Sequence, residues 1–337
     1  MKNIKKLFAV LFLLQFASLF AQTHPVTQTT SVAKYQEDDC NIYIIYNDSL
    51  VPGDAIFVRM MIQTPKSHKK DKPAEKKATL QLFKKSRTKA IESGIFYSTG
   101  KQKKATNQEL LCGIPLSSFL EKDDYYILIN INDGASEKQI NLPLTFTARK
   151  FNSETIPLDA TNTAIKTDNS STRAAQIEKL NNILATVNSQ SVYSLKQMLS
   201  PTTSTRYTSW FADRRVYAYS NGKSSTSLHY GNDYGIPEGT DVKACAEGKV
   251  VLSEWRNSTG WSIVIEHLPG LYSLYYHLSE MLVKEGDYVK AGDLIAKSGK
   301  TGLATGPHLH WEMRLNMSAV RPEFFLENFT FDGVDYY

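Results

Sequence analysis

Short apolar runs closed by turn residues recur through most of the chain, and this spacing confines it to a mainly β fold. In the N-terminal half the runs are 41–46 (NIYIIY), 56–62 (IFVRMMI), 78–83, 95–97, 109–114, 125–131 (YYILINI) and 142–148. Pro52-Gly53-Asp54 and Asn132-Asp133-Gly134 are among the turns that bound them. Seven short strands at this spacing predict an immunoglobulin-like β-sandwich over 22–151, after a flexible Thr-rich lead-in at 22–33. Residues 152–171 lose the alternation and read as the start of a linker running to 200. Within the linker Ile177, Leu180, Leu184 and Val187 recur at helical spacing behind a capping Thr172, and a second short helical run covers 193–199 before Pro201. From Thr208 onward strands return at 241–244, 249–254, 261–267, 272–277, 288–289, 294–298 and 308–315. GIPEGTDVKACAEGKVV and VKEGDYVKAGDLIAKSG share one pattern, a Gly turn, a short strand, a second Gly turn and a second strand. Two such units predict a compact antiparallel sheet over 201–337.

The 337 residues suffice for two such cores. Lys2, Lys5 and Lys6 precede an apolar run from Leu7 to Leu14 that continues, interrupted, to Ala21; this reads as a secretory leader over 1–21. The expected location is therefore the periplasm, the cell envelope or the exterior, with no membrane span after the leader. Of the three cysteines, Cys40 and Cys112 are candidates for a disulfide, and Cys245 reads as a small buried side chain. Charge is uneven: Lys66 to Lys104 holds 13 Lys or Arg against 3 Asp or Glu, whereas Pro201 to Tyr337 holds 13 against 16. The basic tract reads first as solvated loop and strand faces, and second as a contact for an anionic envelope polymer. It has no nucleic-acid motif and no interleaved aromatics, so nucleic acid is not expected as a partner.

The chemistry concentrates near the C-terminus. In TGPHLHWE, His308 and His310 are two residues apart in a strand, so both imidazoles leave one face while Leu309 leaves the other. Upstream lie His229 and Asp233 in HYGND and His277 in YYHL. A catalytic zinc commonly takes three protein ligands and keeps a position for water, and imidazole with carboxylate suits it. His229, Asp233 and His310 make such a set for one zinc ion per chain. His308 shares a strand face with His310 and is the candidate general base, while His277 is the candidate for oxyanion stabilisation or proton transfer; the two roles are exchangeable at this stage. His24, His68 and His267 have no motif partner and read as structural.

HYGND, YYHL and GPHLHWE resemble the three signature segments of the lysostaphin-type, or LytM-like, zinc metallopeptidases, which cleave peptide bonds in bacterial peptidoglycan. The resemblance extends over 206–314, through FADRRVY, GWSIVIEHLPG and the two repeat segments. It implies a duplicated hybrid β-sheet motif, zinc ligands at His229, Asp233 and His310, catalytic roles for His277 and His308, and peptidoglycan stem peptides or crossbridges as substrate. Ala212 departs from the family, which often has Gly there. The alternative is a catalytically inactive LytM-like module that binds the wall or regulates a hydrolase; such relatives typically lack ligands that this chain keeps. Gly299-Lys300-Thr301 ends like a phosphate loop, but Leu294 stands where its first Gly is required. A biotinyl or lipoyl carrier lacks its modified Lys here, no GxSxG occurs, and no Cys sits as a nucleophile.

Overall fold

The computed structural model describes residues 12–13, 30–37, 40–64, 76–100, 107–132, 134 and 136–327. Most of the expected leader, His24, His68 and parts of the basic tract (65–75 and 101–106) lie outside the described residues.

The N-terminal half is a two-layer sandwich. One sheet orders Phe12–Leu13, Thr30–Gln36, Asn41–Asn47, Ala55–Gln63, Asn107–Pro115 and Tyr97–Ser98. The other orders Ser49–Leu50, Glu137–Phe146, Tyr125–Asn132, Lys77–Lys84 and Glu92–Ile95. Among the described residues every pairing here is antiparallel except Ser49–Leu50 with Glu137–Phe146. Alternation does the sorting: in Tyr125–Asn132 the isoleucines 127, 129 and 131 are buried and their neighbours are not. They meet Ile42, Ile44, Val58 and Met60 from the facing sheet in one apolar core.

Two expectations fail here. Part of the supposed lead-in is the strand Thr30–Gln36, whose buried residues Ser31, Ala33 and Tyr35 alternate correctly but are too weakly apolar to show as a run. Nor do Cys40 and Cys112 join: both are buried thiols. Cys112 pairs with Val58, whereas Cys40 adjoins Asn41, the partner of Gln63, so five strand residues separate them. That is roughly 17 Å at strand rise, far beyond disulfide reach.

Residues 152–200 are more ordered than a linker composition suggests. Ser153–Pro157 is a strand, Ala160–Thr167 a helix capped by Asp159, and Ser171–Ala185 a helix capped by Ser170 rather than Thr172. Leu180 and Leu184 pack on Leu252, Val264, Tyr272, Leu274 and Tyr276, while Ile177 and Val187 stay exposed. The second expected helix at 193–199 is absent. Its backbone donors are taken by the neighbouring fold instead: Tyr193 and Ser194 bond the His267 carbonyl, Met198 that of Phe325, and Leu199 that of Cys245.

The C-terminal half is built on a ten-stranded sheet whose central strands are Leu309–Leu315, Leu271–Met281, Gly260–Leu268 and Gly248–Arg256. Two of its short strands, Asp241–Lys243 and Leu294–Ser298, come one from each repeat segment and pair with each other antiparallel. A small sheet of Ser153–Pro157, Arg214–Ala218 and Ser224–Leu228 lies beside it. The apolar core of this half does not stop at its own boundary, for Ala55, Phe57, Tyr97 and Leu111 of the sandwich belong to the same cluster. Phe57 sits against Phe324 and Phe325, with ring centroids 6.2 and 6.1 Å away. Beside them Asp54 is clamped by Arg149 and Arg321.

Candidate metal centre

Three adjacent strands carry the site. Asp233 in Asn232–Tyr234 lies directly opposite His310 in Leu309–Leu315, and His310 lies opposite Tyr276 in Leu271–Met281, so their side chains leave one face. His229 precedes Gly231, where a Cβ would overlap the Trp311 carbonyl; only glycine lets the HYGND segment fold this close to the sheet. His277 follows Tyr276 and would ordinarily point to the opposite face. Here the strand bulges: between the pairs Tyr275–Ile263 and Leu278–Trp261, two residues oppose one. His277 adopts a left-handed backbone, φ 60°, which turns its ring back beside His310, 6.0 Å between centroids.

Each inward nitrogen is defined by what its ring does outward. His229 donates Nδ1–H to the Trp210 carbonyl at 2.8 Å, His277 donates Nδ1–H to Thr301 at 2.7 Å, and His308 donates Nδ1–H to Gly306 at 2.8 Å. In the neutral form of each ring this leaves Nε2 bare. His310 is turned the other way, with Nε2 on Glu312 Oε1 at 2.9 Å and Nδ1 inward. His229 Nε2, His310 Nδ1 and Asp233 Oδ1 then converge, at separations of 2.9, 3.1 and 2.7 Å. Three acceptors cannot meet at this distance without a cation between them. The proton is one answer: burial opposes charge on His310, but Asp233 and Glu312 outweigh it and push its pKa up to about 9. A divalent metal is the other, and the buried N, O, N set is the kind zinc takes.

The surrounding electrostatics favour that ionised set. Burial raises Asp233, yet His229 and His310 prevail and hold its carboxyl well below the usual range. Burial likewise raises Glu312, but Arg314 and His310 bring it down to about 2. His229 is lowered mainly by burial, and His277 is pushed well down by burial and by the neighbouring His308 and His310. His308 stands beside the cluster, Nε2 3.6 Å from Asp233 Oδ1 and ring centroid 4.6 Å from His277.

Residues 227–322 match the family described as peptidase family M23. This segment is an M23 peptidase domain. It holds all five site residues named from the sequence. Over 95 residues the chain is 42% identical to the DD-carboxypeptidase/endopeptidase Mpg of Neisseria meningitidis, covering 28% of this chain and 22% of that one. Over 92 residues it is 46% identical to lysostaphin of Staphylococcus simulans, covering 26% and 18%. Over 108 residues it is 38% identical to the peptidoglycan DD-endopeptidase ShyA of Vibrio cholerae, covering 32% and 24%. The matches thus span about a fifth of the length of these curated relatives. A Pseudomonas aeruginosa crystal structure assigned to peptidase M23 shares the fold more widely, with a TM-score of 0.52 at 18% identity over 83% of this chain and 96% of that one.

His267, read as structural, is fully buried within the M23 domain, bonded to the Glu247 carbonyl and Ser273, and lowered by burial to about 4. The sequence reading overlooked Glu312 and Arg314, although both follow His310 at the alternation that carries His308 and His310. It also overlooked Arg215, whose Nη2 donates to Asp233 Oδ2 at 2.8 Å from outside the matched segment. Ala212, where the family often has Gly, bears on the site: its N–H bonds the His229 carbonyl at 2.7 Å, and its φ of 61° is the conformation glycine adopts freely.

Proposed function

We propose that the chain is a zinc-dependent endopeptidase that hydrolyses peptide crosslinks of bacterial peptidoglycan. The metal is held by His229, Asp233 and His310, and protons are moved by His308 and His277. The observation that carries this reading is the convergence of three buried acceptor atoms beside two further imidazoles with bare inward nitrogens. The names of the relatives, endopeptidases of which one is called a peptidoglycan enzyme, supply the substrate class.

Zinc, when bound, supplies Lewis-acid chemistry, polarising a carbonyl and lowering the pKa of water toward neutrality. The protein does the rest. His308 Nε2 is free to accept the proton of the attacking water, because Nδ1 is committed to Gly306. His277 Nε2 is an acceptor in its resting tautomer, so it holds a water proton first and can donate to a developing oxyanion only after receiving one. Burial keeps His277 neutral at rest, which suits that order. Tyr276 stacks on His310 with a centroid separation of 5.5 Å and shields that ligand from solvent.

The test is digestion of purified peptidoglycan with the zinc-loaded protein, reading new amino and carboxyl termini by mass. His308→Ala is expected to abolish release while zinc remains bound, and Asp233→Ala to lose the zinc. Fragment release by His308→Ala at the parent rate removes that residue from the base role, and a zinc-replete parent that releases nothing removes the activity.

A further inference from the structure

We propose that Arg215 and Glu154 are positioning residues for the Asp233 carboxylate, so that the metal affinity of the site is set partly by strands outside the M23 segment. The inference rests on the metal reading of His229, Asp233 and His310, and not on the identity of the substrate. Arg215 is central in the small sheet: it pairs with Glu154 of Ser153–Pro157 on one side and with Ser227 on the other, in the strand that leads into His229. Its guanidinium forks. Nε donates to Glu154 Oε1 at 2.7 Å and Nη2 to Asp233 Oδ2 at 2.8 Å. Ser209 Oγ lies 2.9 Å from the same Glu154 oxygen, and Ser209 pairs with Asp233 in the next sheet.

A carboxylate on a short side chain can present either oxygen, or both, to a metal. With Oδ2 occupied by Arg215, only Oδ1 faces His229 Nε2 and His310 Nδ1. The plane of the ligand is therefore fixed before metal arrives. Arg215 also carries a positive charge that would repel a dication, but Glu154 offsets it in a side-chain pair of which Arg215 is only 11% exposed. The fork suits the position: Nε and Nη2 are two separate nitrogens in one rigid plane, aimed at Glu154 and Asp233, whereas a lysine gathers its three donors on one rotatable ammonium that fixes neither carboxylate's orientation.

Zinc affinity of the full chain, measured by competition with a chromophoric chelator, reads this directly. Arg215→Met is expected to weaken zinc binding by about 10- to 100-fold, the range typical for losing a partner of a metal ligand. Glu154 is 35% exposed, so Glu154→Ala tests the same link with little demand on folding, and it is expected to weaken binding in the same direction. Glu154→Gln keeps an acceptor for Arg215 Nε and is expected to lie closer to the parent than Glu154→Ala. A purely structural role would lower the melting temperature of the metal-free protein and leave zinc affinity unchanged. Unchanged or tighter zinc binding in Arg215→Met, or in Glu154→Ala if Arg215→Met does not fold, overturns the inference. A parent that takes up no zinc overturns the metal reading as well, which separates the two failures.

Discussion

Replacing Glu312 by Gln isolates one carboxylate that serves two partners. Glu312 is buried, its Oε1 takes Nε2–H of His310 at 2.9 Å, and its Oε2 takes Nε and Nη2 of Arg314 at 2.7 and 2.6 Å. A glutamine has the same shape but offers one acceptor and one donor. In either orientation a donor then faces a donor, at His310 or at Arg314. An unsatisfied buried donor costs about 1–3 kcal/mol. If the amide nitrogen faces His310, the ring can recover only by giving up its Nε2 proton and keeping one on Nδ1, the atom that faces His229 and Asp233. Either route is expected to weaken zinc binding by about 10- to 100-fold, or about 1.4–2.7 kcal/mol. Chelator competition on the folded variant measures the affinity, and urea unfolding of the metal-free form measures the stability. If zinc affinity stays at the parent value while circular dichroism shows the native fold, Glu312 does not set the tautomer of His310, and the account of the site is wrong at that point.

Three further outcomes are expected. Ala212→Gly relieves a left-handed alanine, a strain of about 1–2 kcal/mol offset in part by a looser unfolded chain, so thermal unfolding should shift upward; a downward shift contradicts it. Asp54→Ala leaves Arg149 and Arg321 without their shared carboxylate and should cost about 3 kcal/mol in urea unfolding, the low end for a broken buried pair because Glu327 still holds Arg321. Metal uptake should release a proton: His310 in the metal-free protein carries one below about pH 9, zinc needs its bare Nδ1, and apparent affinity should rise with pH up to that value and then level. Calorimetry in buffers of different ionisation enthalpy counts the proton, and zinc affinity independent of pH on the acid side of 9 contradicts the assignment.

The cluster of His229, Asp233 and His310 was legible because its signals are local: residue type, a spacing of two along a strand, and a glycine between His229 and Asp233. Glu312 and Arg314 obey the same alternation and needed only the same rule carried two steps further. Other features depend on contacts between distant segments. Glu154 reaches Arg215 through a parallel pairing of strands some sixty residues apart in the chain, which no local pattern announces. The bulge at His277 depends on register between two neighbouring strands, while the run at 193–199 has helical spacing but gives its donors to carbonyls of His267, Cys245 and Phe325. In the sandwich, alternation found the strands with large apolar residues and lost Thr30–Gln36, whose inward side chains are small or polar.

The core shared by Phe57, Phe324 and Phe325 separates heredity from thermodynamics. The family match covers residues 227–322 alone, yet the apolar surface around Phe324 and Phe325 is closed by residues from the other half. Gly53 is part of that closure, since a Cβ there would come within 2.6 Å of Phe211, whose own N–H is held by Asn232 next to Asp233. The packed core is therefore larger than the segment that the family match covers. A chain cut near residue 200 would carry His229, Asp233 and His310 and is expected to open its core to water, so a loss of function in it would report on cohesion before it reported on catalysis.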